Sequence, residues 1–216
     1  MIHDAISHDL GATLVGGGPV FVGDFDESRS IAPLLVAADS GADRILDLGH
    51  MPDWAIGDLD SISQSARDRI GARVIHDPCQ ETTDFEKCLA RIDAPLILGL
   101  GFLGGQIDHE LAALSVLVRQ DRAIVLIGEH DIVAHVPQII DLALAPGTRV
   151  SLFPMAAVTG RSTGLTWPID GLKFAPGRRS GTSNRASGAV QLAFDGPGML
   201  LILPRAALSA LLTGLR

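Results

Sequence analysis

Short apolar runs alternate with stretches of helical period over the first part of the chain. "ATLVGGG", "PLLVAAD", "DWAIGD", "ARVIHD", "PLILGLG" and "RAIVLIG" have the length and content of strands. Between them Phe85, Cys88, Leu89 and Ile92 fall at i, i+3, i+4 and i+7, and Ile107, Leu111, Leu114 and Val118 repeat on one helical stripe. Alternation of this kind predicts an α/β fold with a mainly parallel, doubly wound sheet. After about residue 129 the texture changes. "TRVSLFPM", "GLTWPI", "AVQLAF" and "MLLILP" are strand-like runs broken by Gly, Pro, Ser and Asn, with little helical period before the last residues. The expected organisation is an α/β domain over 1–128 and an all-β sandwich domain over 129–216.

Composition narrows the function classes. A chain of 216 residues can bury a full core, and its net charge of −8 gives no electrostatic footprint for nucleic acid. "APLILGLGFLGG" is too short and too rich in glycine to span a bilayer, and "MIHDAISHDLGA" lacks a basic start and an apolar signal core, so the expected location is the cytoplasm. Cys79 and Cys88 form no metal-binding spacing. An acidic protein of this kind handles phosphates through bound metal and local donors.

The acidic residues sit where an open parallel sheet binds ligands, at the carboxyl ends of strands. Asp39 closes "LLVAAD", Asp58 closes "DWAIGD" with Asp60 one leucine further on, and Asp84 closes "RVIHDPCQETTD". In a strand, alternate residues share a face roughly 6.6 Å apart, so Asp58 and Asp60 bring like charges to one spot. Helix capping accounts for part of this: Ser61 with Gln64, and Thr83 with Glu86, both match a capping box. It leaves Asp58 and Asp60 unexplained, since a cap needs only the serine. Their placement with Asp39 favours a cation, and Mg²⁺ fits, taking oxygen ligands at about 2.0–2.1 Å and leaving positions for phosphate.

"GLGFLGGQIDHELAAL" adds a glycine-rich turn opening a helix, with Asp108 and His109 in its first turn; such a turn can hold an anion on free N–H groups or be a plain connection. Lys87, one turn after Asp84, is placed to reach a phosphate. "GGG" at 16–18 lacks the spacing of a dinucleotide fingerprint.

In order along the chain, "AADSGADRILDLGHMPDWAIGDLDSIS", "DPCQETTDFEKCL", "GLGFLGGQIDHELA", "GLTWPI", "SGTSNRASGAVQLAF" and "GMLLILP" resemble the thiamine pyrophosphokinase family over nearly the whole length. The resemblance implies a nucleotide-binding α/β domain, a C-terminal β-sandwich, a homodimer, and transfer of pyrophosphate from ATP to the hydroxyl of thiamine with release of AMP. It places the metal-binding acids on Asp39, Asp58, Asp60 and Asp84, the nucleotide and phosphate contacts on Gln80, Thr83, Lys87 and Gln106, and an active-site acid on Asp108. Ser183 and Asn184 match a thiamine-side loop supplied by the second subunit. Two departures accompany it: Gln106 stands where the family commonly has arginine, and Arg185-Ala186-Ser187 lacks the aromatic residues found there in some members. Two other classes compete: a haloacid-type phosphatase using "DLDSI", and a nucleotide- or thiamine-sensing module that binds without turnover.

Overall fold

The computed structural model describes residues 5–216 and divides the chain into two compact units. One runs to Val116 and takes in Leu126–Glu129; the other comprises Leu117–Val125 and His130–Arg216.

The first unit holds β1 (Ile6–Ser7), β2 (Ala12–Val15), α1 (Val22–Ile31), β3 (Leu34–Ala38), α2 (Gly41–Asp47), β4 (Trp54–Gly57), α3 (Gln64–Ile70), β5 (Val74–His76), α4 (Asp84–Arg91), β6 (Ile92–Asp93), β7 (Leu96–Leu100) and α5 (Ile107–Leu117). The strand order β7-β2-β3-β4-β5 is parallel at every pairing, and β8 (Ala123–Ile127) borders β7. Each of the six apolar runs expected as strands is therefore a strand. The chain steps outward from β2 to β5 and then returns to β7 on the other side of β2, which creates a topological switch point between β2 and β7. Strands β2 and β3 are buried at every position, as a sheet covered on both faces requires.

Helix α4 shows why the acidic segment stands still. Thr83 and Glu86 form the expected capping box, and the helix buries Phe85, Cys88 and Leu89 where it packs on β3 and β4. The box expected at Ser61 and Gln64 does not form: α3 begins two residues later, with the Ser63 hydroxyl accepting from the Ala66 amide. Helix α5 also differs. Its inward face is Ala113, Val116 and Leu117, while Ile107 and Leu111 of the anticipated stripe are 76% and 57% exposed. The period was right, but a period does not say which face meets the sheet.

The second unit contains β9 (Asp131–His135), β10 (Ile139–Leu142), β11 (Arg149–Pro154), β12 (Val158–Leu165), β13 (Lys173–Phe174), β14 (Thr182–Phe194), β15 (Met199–Pro204) and α6 (Leu208–Gly214). All of its pairings among these strands are antiparallel. The long β14 joins two sets: its first residues pair with β11, its last with β10, and β12 runs along it with a register shift between Thr163 and Leu165. Among the described residues no helix is long and apolar enough to cross a membrane.

Asn184 of β14 is 2% exposed, and its side-chain amide makes three hydrogen bonds. Nδ2 donates to the Trp167 carbonyl at 2.7 Å, and Oδ1 accepts from the amides of Trp167 and Arg185 at 3.2 and 2.9 Å. Asn184→Ala leaves those backbone groups without partners, so it is expected to cost about 2–3 kcal/mol, measured by urea unfolding followed through tryptophan emission. A loss under about 0.5 kcal/mol would mean that water replaces the amide.

Candidate active site

The site is built from the ends of β2, β3, β4 and β7. They open on a cavity of about 1150 Å³, lined among others by Gly16–Gly18, Asp39, Asp58, Thr83, Asp84, Lys87, Gln106 and Asp108. Two of its backbone positions lie in the left-handed region without being glycine: Asp39 at φ 43° and Leu59 at φ 66°. Such residues are uncommon and cluster where a side chain must be aimed. Here the two turns aim carboxylates.

Asp39, Asp58 and Asp60 each present an oxygen within 4.8 Å of the others. Asp39 is 4% exposed; its Oδ2 accepts from the Ser61 amide at 3.1 Å, while Oδ1 has no hydrogen-bond partner. Burial, reinforced by Asp84 and Asp60, raises its pKa despite the Ser61 and Ser40 amides. Asp58 goes the other way. Although burial opposes it, the Gln80 amide at 2.9 Å, the Asp60 N–H and the nearby Lys87 ammonium lower its pKa. The Ser61 hydroxyl donates to Asp60 Oδ1 at 2.7 Å, so the serine proposed as a cap instead ties Asp60 to Asp39.

Asp84 stands beside this trio rather than in it. Its Oδ1 accepts from the Asp58 amide at 3.3 Å and from Lys87 Nζ at 2.9 Å. Lys87 is 4% exposed and lies 3.6 Å from Asp58 Oδ2. Burial alone would depress its pKa, but Asp84 and Asp58 outweigh that and raise it. A buried ammonium thus offsets part of the charge of two carboxylates. Gly57 lets Asp39 and Asp84 lie close to the strand: a Cβ there would lie 3.0 Å from Asp39 Cβ and 3.1 Å from Asp84 Oδ1.

The other sequence candidates divide. Thr83, Lys87, Gln106 and Asp108 line the cavity; Gln80 reaches the site through Asp58; Asp108 accepts from the His109 amide of its own helix. Ser183 is exposed on β14, and Asn184 is spent on Trp167, which is itself 58% exposed. Trp167 was not named as a candidate from sequence, and Ser61 was named only as a cap. A tryptophan in the Pro-containing run "GLTWPI" was the available signal for the first.

A family model described as thiamin pyrophosphokinase, catalytic domain, matches residues 25–127. Thiamine pyrophosphokinase 1 of Oryza sativa subsp. japonica is 31% identical over 196 residues, covering 71% of this chain and 72% of the relative. The chain belongs to the thiamine pyrophosphokinase family. Thiamine pyrophosphokinase 1 of Arabidopsis thaliana is also 31% identical, over 191 residues and 71% of each chain. The fold agrees with solved thiamin pyrophosphokinases. That of Candida albicans superposes with a TM-score of 0.79 at 17% identity, covering 94% of this chain and 93% of the other. That of Geobacillus thermodenitrificans gives 0.73 at 22%, covering 92% and 99%. Membership in the thiamine pyrophosphokinase family leaves the haloacid-type reading of "DLDSI" without support.

Three carboxylates within 4.8 Å, one of them buried with an unpartnered oxygen, form a donor set that fits a hard divalent cation. Asp39→Asn keeps an acceptor for Ser61 and removes one like charge, so the metal-free chain should melt higher, by about 2–4 °C for each kcal/mol relieved. The fold raises the Asp39 pKa above 3.8, so the native chain holds that proton more tightly and the ionised group costs stability as pH rises. The gain should accordingly be largest near neutral pH and shrink toward the ordinary carboxylate range. Scanning calorimetry with and without Mg²⁺ checks both halves: the variant should also lose the stabilisation that Mg²⁺ gives the parent. A lower melting temperature with Mg²⁺ stabilisation intact would make Asp39 a structural residue.

Proposed function

We propose that the chain transfers the pyrophosphoryl group of ATP to the hydroxyl of thiamine, giving thiamine diphosphate and AMP. The observation that carries this reading is the meeting of Asp39, Asp58 and Asp60 within 4.8 Å beside a cavity of about 1150 Å³, in a chain 31% identical to a thiamine pyrophosphokinase. In this reading residues 1–128 form a doubly wound ATP-binding domain and residues 129–216 a thiamine-side β-sandwich. Mg²⁺ held by Asp39, Asp58 and Asp60 supplies, when bound, positive charge against the polyphosphate.

The chain's own residues do the rest by position and charge. Asp84 fixes Lys87, whose ammonium lines the cavity and would face the phosphate oxygens of a bound nucleotide. Gln80 keeps Asp58 oriented, and Thr83 and Gln106 offer neutral hydrogen bonds to the nucleotide. The thiamine hydroxyl attacks the β-phosphorus, the bond from that phosphorus to the α-phosphate oxygen breaks, and Asp108 takes the hydroxyl proton. No side chain forms a covalent intermediate. On the thiamine side Asn184 holds Trp167, whose exposed indole offers a face to a cationic aromatic ring. A homodimer brings Trp167 and Ser183 of one subunit to the acids of the other.

Incubation with ATP, Mg²⁺ and thiamine, followed by phosphorus NMR, is expected to yield AMP and thiamine diphosphate in equal amounts. Formation of ADP or free phosphate instead would contradict the reaction. The shared site has its own check. An inactive Asp58→Ala chain mixed with an inactive Trp167→Ala chain should recover up to about a quarter of parental activity once subunits exchange, since one site of each mixed dimer is intact. No recovery after exchange is verified by mass-tagged chains would place the whole site in one subunit.

A further inference from the structure

The cavity has an acidic side and a glycine side. On the glycine side, the loop after β2 is pinned to the loop after β7: the Gly16 amide donates to the Leu100 carbonyl at 2.8 Å and the Gly18 amide to the Gly101 carbonyl at 2.9 Å. No side chain fits on it. A Cβ at Gly17 would lie 2.4 Å from Ser40 Oγ, and one at Gly18 would lie 2.6 Å from the Gly101 carbonyl oxygen. The wall is therefore bare backbone, and any charge must come from a residue that reaches over it.

Arg44 reaches over it. From α2 its Nε donates to the Gly17 carbonyl at 3.1 Å, and its exposed guanidinium lines the cavity. Among the described residues Gly17 is its one hydrogen-bond partner, which leaves the two terminal nitrogens of the fork available to a ligand. The only other lysine or arginine lining the cavity is Lys87, which is buried against Asp84 and Asp58. Gln106, on the rim supplied by the turn before α5, is neutral. Gly17 also abuts Ser40, the neighbour of Asp39, so the arginine is tied through one loop to the acidic side.

We propose that Arg44 is a polyphosphate-binding residue of this chain, supplying on the glycine side the fixed positive charge that Gln106 does not. This rests on the ATP-dependent reading above. A planar guanidinium anchored by one nitrogen presents its others as a preset fork, the geometry that suits phosphate oxygens.

The test compares ATP, ADP and AMP binding by isothermal titration calorimetry with Mg²⁺ for the parent, Arg44→Gln and Arg44→Gln/Gln106→Arg. Arg44 is exposed, so the variants keep their core, and thermal melting verifies it. Loss of a charge-assisted contact should weaken ATP about tenfold while AMP changes by less than about twofold, and the second substitution should restore part of the ATP affinity. Equal losses for ATP and AMP would mean that Arg44 only props the glycine loop and would overturn the proposal, as would no loss for either. A parent chain that binds no ATP would overturn the underlying reading and this inference with it.

Discussion

Repulsion among carboxylates is the constraint around which this fold is arranged. Parallel strands β3 and β4 end side by side, and an acid follows each directly, so the sheet itself brings Asp39 and Asp58 together. Two like charges a few ångströms apart in a half-buried crevice cost free energy unless something positive is near. The chain answers with Lys87 under Asp58 and Asp84, with amides from Ser61 and Asp60, and with a glycine at 57 that leaves room for the approach. These offset part of the repulsion and leave Asp39 Oδ1 without a partner. What remains is a cluster of carboxylate oxygens whose charge a divalent cation would offset.

The same logic explains the strained backbone. Left-handed φ at Asp39 and Leu59 is tolerated because the turns are fixed from several sides: the Asp39 amide donates to the Ile56 carbonyl, the Ser63 amide donates to Asp43, and α4 closes over β3 and β4 with its own capping box. Strain of this kind persists only where the surroundings over-determine it. Helix α4 therefore matters twice, as a packed element and as the carrier of Lys87.

Much of this was legible in the residues. Apolar runs gave the strands because parallel strands buried on both faces are continuous rather than alternating. The acids at their ends gave the site because a parallel sheet gathers its carboxyl ends along one edge. The Thr83 box was readable because both partners lie within four residues. What escaped was non-local. Ser61 looked like a cap, but the cap is Ser63, two residues on, which is steadied by Asp43, a residue twenty positions away in sequence. Asp84 was readable as an acid at the strand ends, but not the hydrogen bond that Lys87 at i+3 donates to its Oδ1. That the Asn184 amide pairs with the Trp167 backbone, 17 positions away, follows from the fold and from no local pattern. The orientation of α5 depended on the shape of the sheet beneath it, which periodicity does not carry.

The central claim is that Asp39, Asp58 and Asp60 share one divalent cation, and anomalous diffraction from crystals soaked in Mn²⁺ tests it most directly. Manganese takes the same oxygen donors as magnesium and scatters anomalously. The account predicts one strong anomalous peak within about 2.5 Å of oxygens from all three aspartates, lost in crystals of Asp58→Asn. Full Mn²⁺ occupancy elsewhere, with this trio empty, would contradict it.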